Sequence, residues 1–301
     1  MAEPLNGWII LDKPLGMGST QGVGAVKRAL SEGGYTKVKI GHGGTLDPLA
    51  TGVLPIALGE ATKLAGRMLD SDKIYDFTIG FGAQTDSLDL EGKVIATSDL
   101  LPTLAEIEAI LPRFTGPIEQ VPPAYSALKV DGKRAYDLAR AGETVVMAPR
   151  RVTIHALSLH PASGAAAQTS ATLSAHVSKG TYIRSLARDI AHALGTVGHV
   201  TMLRRTKAGP FTLKSAISLD ILIEKSKGHA LEDIILPIRT ALDDIPALAL
   251  TPEQARLLHH GQVLTGIAAT DGIQIALDGE IPLAIVEVSG GNVRSVRRFN
   301  L

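Results

Sequence analysis

Apolar and polar positions along the chain follow two periods. Residues 8–11, WIIL, form a short continuous apolar run closed by Asp12, Lys13 and Pro14, which predicts a buried strand. From about 19 to 30 the apolar positions recur at helical spacing, with Ser19 or Thr20 as N-cap. Runs rich in β-branched or alternating residues predict strands at 38–41, 53–58, 75–81, 151–159 and 172–177. Helical patterns lie at 62–69, 104–111, 134–141, 182–194 and 217–223. Strands arrive in successive runs rather than in strict alternation with helices. That order predicts an α+β fold, with a mixed, mainly antiparallel sheet flanked by helices.

Two breaks interrupt the pattern. The Pro-rich segment GPIEQVPPAYS, 116–126, opens a polar stretch that reads as an insertion or lid over about 121–150. The segment DDIPALALTPEQ carries an acidic pair, a Pro and a Thr-Pro helix start, and short strands follow at 274–277, 283–288 and 293–298, separated by Asp-Gly and Gly-Gly turns. The chain therefore divides into a larger domain, 1–245, and a small β-rich domain, 246–301. A small-residue loop, SGAAAQTSA, begins at Ser163, and no solenoid-type repeat is present.

Composition narrows the classes. With 301 residues the chain can bury roughly three quarters of its unfolded surface, enough for one large core and a satellite. Thirty Lys plus Arg balance thirty Asp plus Glu, which excludes a uniformly basic nucleic-acid coat. There is no cysteine, so disulfides and thiolate chemistry are excluded. No run approaches a membrane span, and the first residues have an acid where a signal peptide wants basic charge, so the expected location is the cytoplasm. The neutral total conceals an uneven distribution: 70–110 holds nine acids and two bases, while 178–214 holds seven bases and one acid. The basic segment suits phosphate, or is ordinary surface variation.

Three constellations carry candidate chemistry. GMGSTQGVG leads into a helix and superficially resembles a dinucleotide-binding turn, but Gln21 stands where the third glycine belongs and no acid closes the next strand. A flexible loop before a helix is the preferred reading; a nicotinamide-dependent oxidoreductase is the rival it leaves open. GHGGTLDPLATG describes a constrained loop presenting Asp47, either as an Asx-turn or as a nucleophile or base held by a nearby cation. SKGTYIRSLARDI places Tyr182 and Arg184 at a strand-to-helix junction, where Arg184 is a partner for a carboxylate such as Asp47 or part of a solvated basic face. The nine histidines fall into no metal-binding spacing, and Asp86, Asp89 and Glu91 read as a turn with solvated carboxylates. No metal and no cofactor is expected.

Taken together, GGTLDPLATGVLPIALGEATK resembles the catalytic-aspartate motif of the TruB-type pseudouridine synthases. GWIILDKPLGMGS, DKIYDFTIGFGAQTDSLDLEG, VPPAYSALKVDGKRAYDLARAGE, SKGTYIRSLARDI and LRRTKAGPF resemble further motifs of that family in the same order. The last strands, IPLAIVEVSGGNVRSVRRFN, resemble a PUA-type RNA-binding domain. The resemblance implies isomerisation of uridine 55 in the T-loop of tRNA, by base flipping and a catalytic aspartate, Asp47. It implies that Tyr75 stacks on the flipped base, that Arg184 pairs with Asp47, and that His42, Tyr182, Leu203 and Lys63 contact substrate. The insertion would clasp RNA, and Lys179, Arg204 and Arg205 would meet its backbone. Gly43 stands where relatives often carry Thr, which would loosen the loop beside His42. The implied enzyme works as a monomer on tRNA, with no membrane and no obligatory protein partner. A catalytically silent RNA-binding protein is the other rival.

Overall fold

The apolar run expected at the start of the chain forms strand β1 (Gly7–Lys13), whose Trp8 to Leu11 are fully buried. Helix α1 (Ser19–Glu32) and strands β2 (Ile40–His42) and β3 (Ala50–Leu58) follow. β1 pairs antiparallel with β3, so the glycine-rich turn between β1 and α1 does not belong to a parallel βαβ unit, and the dinucleotide-binding reading loses its scaffold. A 3₁₀ turn leads to α2 (Ala65–Asp70) and β4 (Lys73–Phe81). The Lys73 amine donates to the carbonyls of Met68, Leu69 and Ser71 and so closes the end of α2. Burial, reinforced by Arg205, pulls its pKa down to about 8.

The hairpin β5 (Ala83–Thr85) and β6 (Val94–Thr97), then α3 (Leu104–Ile110) and β7 (Gly116–Gln120), bring the chain to the insertion. The insertion carries a two-residue ladder, β8 (Lys129–Val130) with β9 (Lys133–Arg134), and a short helix α4 (Ala135–Arg140). Next come β10 (Arg150–Leu159), β11 (Ser170–Val177), α5 (Ile183–Ala193), β12 (Gly198–Ala208), β13 (Phe211–Thr212) and α6 (Leu219–Lys227). The main sheet runs β1-β3-β12-β4-β11-β10-β7, with only β12 and β3 parallel. The mainly antiparallel α+β architecture is thus present in the computed structural model, which describes residues 5–35, 37–126, 128–130, 132–161 and 167–301. The first four residues of the SGAAAQTSA loop lie outside the described residues.

Periodicity predicted neither edge strand β7 nor β12, and β12 sits at the centre of the sheet between β3 and β4. On one face of β4, β10 and β11, Phe77, Ile79, Ile154, Leu173 and Val177 pack against Ile183, Leu186 and Ile190 of α5. The apolar residues of α5 recur every three or four positions, so one stripe of the helix is buried along its length. A second core joins β1 and β3 to α1 and α6.

The final residues form a separate sheet, β14 (Ala247–Ala249), β15 (Gly272–Asp278), β16 (Ile281–Ser289) and β17 (Asn292–Arg298), in that spatial order, with helix α7 (Pro252–His259). It has its own apolar cluster around Leu258, Val286 and Val293. Ile275 of this sheet and Phe299 just after it also enter a core with Trp8, Phe211 and Leu242, so the small sheet is joined to the main one through buried apolar surface.

Candidate active site

The loop between β2 and β3 carries Asp47, and its backbone is held on both sides of that residue. Ser19 Oγ accepts from the Leu46 amide at 2.7 Å and donates to the Leu46 carbonyl at 3.0 Å. Lys13 Nζ donates to Met17 O at 2.6 Å, to Pro14 O at 3.1 Å and to Pro48 O at 3.3 Å. The Gly16 amide reaches Pro48 O at 2.9 Å. The DKPLGMGS segment is therefore the floor under the Asp47 loop, which is its structural use in place of a nucleotide cradle. The Lys13 amine is buried, which brings its pKa down to about 8; the Asp47 charge opposes that fall and Arg205 adds to it.

Arg205 clamps the loop from the other side. Its Nε donates to Val53 O at 2.8 Å, and its terminal nitrogens to Gly44 O at 3.1 Å and Thr45 O at 3.4 Å. Gly52 lets β12 come this close: it has φ +101°, and a Cβ there would lie within 2.2 Å of the Arg205 carbonyl oxygen. Gly43 is likewise a packing position. A Cβ on it would lie 2.6 Å from Met68 Cβ, and its amide donates to Pro55 O at 2.8 Å. The glycine there fits the loop tightly against α2, contrary to the expected loosening.

Arg184, in the first turn of α5, meets Asp47 with a 2.9 Å ion pair. The arginine side chain is 7% exposed and the carboxylate 43%, so the buried partner presents the accessible one. The same guanidinium lies 3.5 Å from Asp89 and donates to the carbonyls of Ser87 at 2.9 Å and Tyr125 at 3.0 Å. Asp89 is buried, not solvated as the sequence reading had it, and accepts from the Glu91 amide at 3.0 Å. The turn that holds it contains Leu88 at φ +64°, a left-handed conformation rare for such a residue, pinned by the Val200 amide on the Leu88 carbonyl. Two carboxylates that would suit a dication are instead bridged by a fixed guanidinium.

Helix α5 has no side-chain cap of its own. Buried Gln120 compensates: its oxygen accepts from the Tyr182 amide at 2.8 Å and its nitrogen donates to the Tyr182 carbonyl at 3.1 Å. Ser185 Oγ donates to Val121 O at 2.8 Å. The root of the insertion is thus tied to the helix that positions Arg184. The Tyr182 phenol is half-buried, and that burial raises its pKa. His42 accepts from the Gly44 amide through Nδ1, and burial, then the Arg205 charge, lower its pKa, which favours the neutral acceptor.

Asp47, Asp89 and Arg184 line a narrow cleft with Leu49, Met202 and Leu203. Its volume is about 20 Å³, room for roughly one water. Tyr75 lies on β4, half-buried against both main cores, and is not part of the cleft lining. Lys63 is turned elsewhere: its amine is held by Glu60 at 2.5 Å and by the Arg298 carbonyl at the end of β17 at 2.9 Å. Of the residues expected to meet the RNA backbone, Arg205 alone is withdrawn from solvent. Arg205 is 1% exposed with its donors on carbonyls, Arg204 pairs with Asp12 at 2.8 Å, and Lys179 pairs with Asp70 at 3.0 Å. The physical reason for Arg205 is that β12 lies inside the sheet, with this side chain turned toward the Asp47 loop. Exposed cations also occur on the insertion, where Arg134 and Arg140 flank the Tyr136 ring and Lys129 and Lys133 lie on the adjoining two-residue ladder.

Residues 31–183 match the model of the TruB family pseudouridylate synthase N-terminal domain, and 184–243 that of the tRNA pseudouridylate synthase B C-terminal domain. Proteins named tRNA pseudouridine synthase B are similar along nearly the whole chain. That of Novosphingobium aromaticivorans is 64% identical, covering 99% of this chain and 98% of its own, and that of Zymomonas mobilis 57% identical, covering 99% and 97%. Among solved structures, a chain of a Cbf5-Nop10-Gar1 complex superposes with a TM-score of 0.73 at 25% identity, covering 98% of this chain and 85% of its own.

Proposed function

Because the chain belongs to the TruB family of pseudouridylate synthases, we propose that it isomerises uridine 55 in the T-loop of tRNA, with Asp47 as the catalytic carboxylate. The observation that carries this reading is the Asp47–Arg184 pair, in which a buried cation fixes the orientation of a half-exposed carboxylate. Isomerisation breaks the bond between N1 of the base and C1′ of the sugar, turns the base, joins C5 to C1′ and removes the C5 proton. Attack on the sugar, addition to the base and proton abstraction all need a carboxylate in this position. The preset loop gives that carboxylate little to reorganise.

The base, flipped out of the T-loop, would enter at the cleft where Leu49, Met202 and Leu203 flank Asp47 and Arg184. Tyr75, beside this wall on β4, is then the stacking face, with Tyr182 and His42 at the rim. The insertion supplies phosphate contacts through Lys129, Lys133, Arg134 and Arg140, and the small β-rich domain is read as a PUA-type RNA-binding module. We take the enzyme to act as a single chain in the cytoplasm. No helix among the described residues is long and apolar enough to cross a membrane.

Carbodiimide mapping of a T-arm RNA incubated with the protein tests the assignment: a single reverse-transcription stop at the target uridine is expected, and an unmodified RNA would contradict it. A separate measurement addresses the insertion. Lys133→Ala with Arg134→Ala removes two exposed charges, so the slope of log affinity against log salt should become shallower by roughly 1.5. An unchanged slope would remove the insertion from the RNA footprint.

A further inference from the structure

On the sheet face opposite α5, three chain segments bring metal-ligating groups together. Asp72 lies just before β4, His176 in β11 and His155 in β10. The β10–β11 ladder pairs Ile154 with Val177 and Ala156 with His176, so His155 is the extra residue of a bulge. A bulge re-aims a side chain, and this one sets the His155 ring beside that of His176, with centroids 4.8 Å apart. Both Nε2 atoms face the same carboxylate oxygen of Asp72, His155 at 3.2 Å and His176 at 3.7 Å. The three donor atoms all lie within 4.8 Å of one another. Donors on a tetrahedral zinc ion, with bonds of 2.0–2.2 Å, stand about 3.3 Å apart, so small side-chain rotations suffice.

We propose that Asp72, His155 and His176 bind one first-row transition-metal dication, best matched by Zn²⁺, with a fourth position left to water. Two imidazoles and one carboxylate are a donor set that suits zinc, nickel or copper, whereas magnesium and calcium take oxygen ligands. All three side chains are more than a third exposed, so the ion can enter from solvent without opening the fold. Lys207 lies near enough to act on His176 electrostatically, so chelation rather than local field supplies the affinity. A bound ion would tie β10 and β11 to the segment leading into β4, on the face away from Arg184. The neighbouring His160 has a different arrangement: it meets the Ser174 hydroxyl at 2.7 Å and one carboxylate, Asp76.

Calorimetric titration of the EDTA-treated, desalted full chain with ZnCl₂ tests the site. One Zn²⁺ per chain is expected, with binding lost in His155→Ala and His176→Ala and kept in His160→Ala and in the double variant His259→Ala/His260→Ala. Asp72→Asn, nearly isosteric, should weaken binding roughly tenfold or more with the far-ultraviolet dichroism unchanged. Co²⁺ in place of Zn²⁺ should show the visible absorption of a tetrahedral centre, and MgCl₂ should not compete. Absence of saturable binding at micromolar Zn²⁺, full affinity in Asp72→Asn, or equal competition by Mg²⁺ would overturn the proposal. Pseudouridine formation in the two histidine variants should stay unchanged, since neither residue lines the Asp47 cleft, and this shows that the variants remain folded.

Discussion

Asp47→Ala should lower the single-turnover rate of pseudouridine formation by about 10⁴-fold or more while leaving tRNA affinity within a few-fold of the parent protein. The size follows from what the carboxylate does: removing the group on which bond-breaking depends leaves only positioning and binding, as for enzymes that lose their nucleophile. The small binding effect follows from where it sits. The proposed phosphate contacts lie on the insertion, and Asp47 is one acid at the edge of the cleft. Misfolding does not explain the loss in advance, because Arg184 keeps Asp89 and two carbonyls when Asp47 is gone. Asp47→Asn, which keeps shape and removes charge, should fall equally far. A rate within tenfold of the parent in either variant would show that another group carries the reaction, and Asp89 would be the next carboxylate to test.

What could be read from the sequence, and what could not, follows from how each feature is encoded. WIIL, the stripe of α5 and the last three strands carry their burial in local periodicity, so their existence was predictable within a few residues. β12 was opaque because HVTMLRRTKA mixes two arginines and a lysine into an alternating run, and the pattern resembles a basic surface. Its burial is possible because β3 and the loop before it offer the carbonyls of Val53, Gly44 and Thr45 to one guanidinium, a fact of tertiary pairing. The same limit hid Asp89. SLDLEG reads as a solvated turn until α5 places Arg184 over it. The meeting of Asp47 with Arg184 was expected from motif resemblance, and the 2.9 Å contact is present. The wider clamp through Lys13, Ser19 and Gln120 has no signature in spacing, although its residues fall in or beside DKPLGMGS and GPIEQVPPAYS. The Asp72, His155 and His176 cluster shows the same blindness: no spacing rule finds ligands on three separate segments, one of them re-aimed by a bulge.

Arg205→Ala should destabilise the fold by about 3–5 kcal/mol and leave the salt dependence of RNA binding by the folded protein unchanged. Among the described residues Arg205 is the largest fully buried cation, and its three hydrogen bonds all end on carbonyls of the β2–β3 loop and β3, the segment that carries Asp47. Truncation leaves those carbonyls without donors, at about 1–3 kcal/mol for each one that water cannot reach, and opens a void beside β3. At a midpoint shift of about 2–4 °C per kcal/mol, thermal unfolding should fall by roughly 10 °C. Arg205→Lys should recover only part of this, because one ammonium on a flexible stem cannot reproduce a planar fork reaching three acceptors. Arg204 supplies the contrast one residue away. Its pair with Asp12 is about a third exposed on each side, so Arg204→Ala should cost no more than about 1 kcal/mol. If Arg205→Ala instead kept its unfolding midpoint and flattened the salt slope, its guanidinium would have to leave the loop and reach phosphate in the complex. The Asp47 loop would then be held by RNA rather than preset by the protein. A normal unfolding midpoint in Arg205→Ala with an unchanged salt slope would show that Lys13 and Ser19 alone suffice to hold the loop.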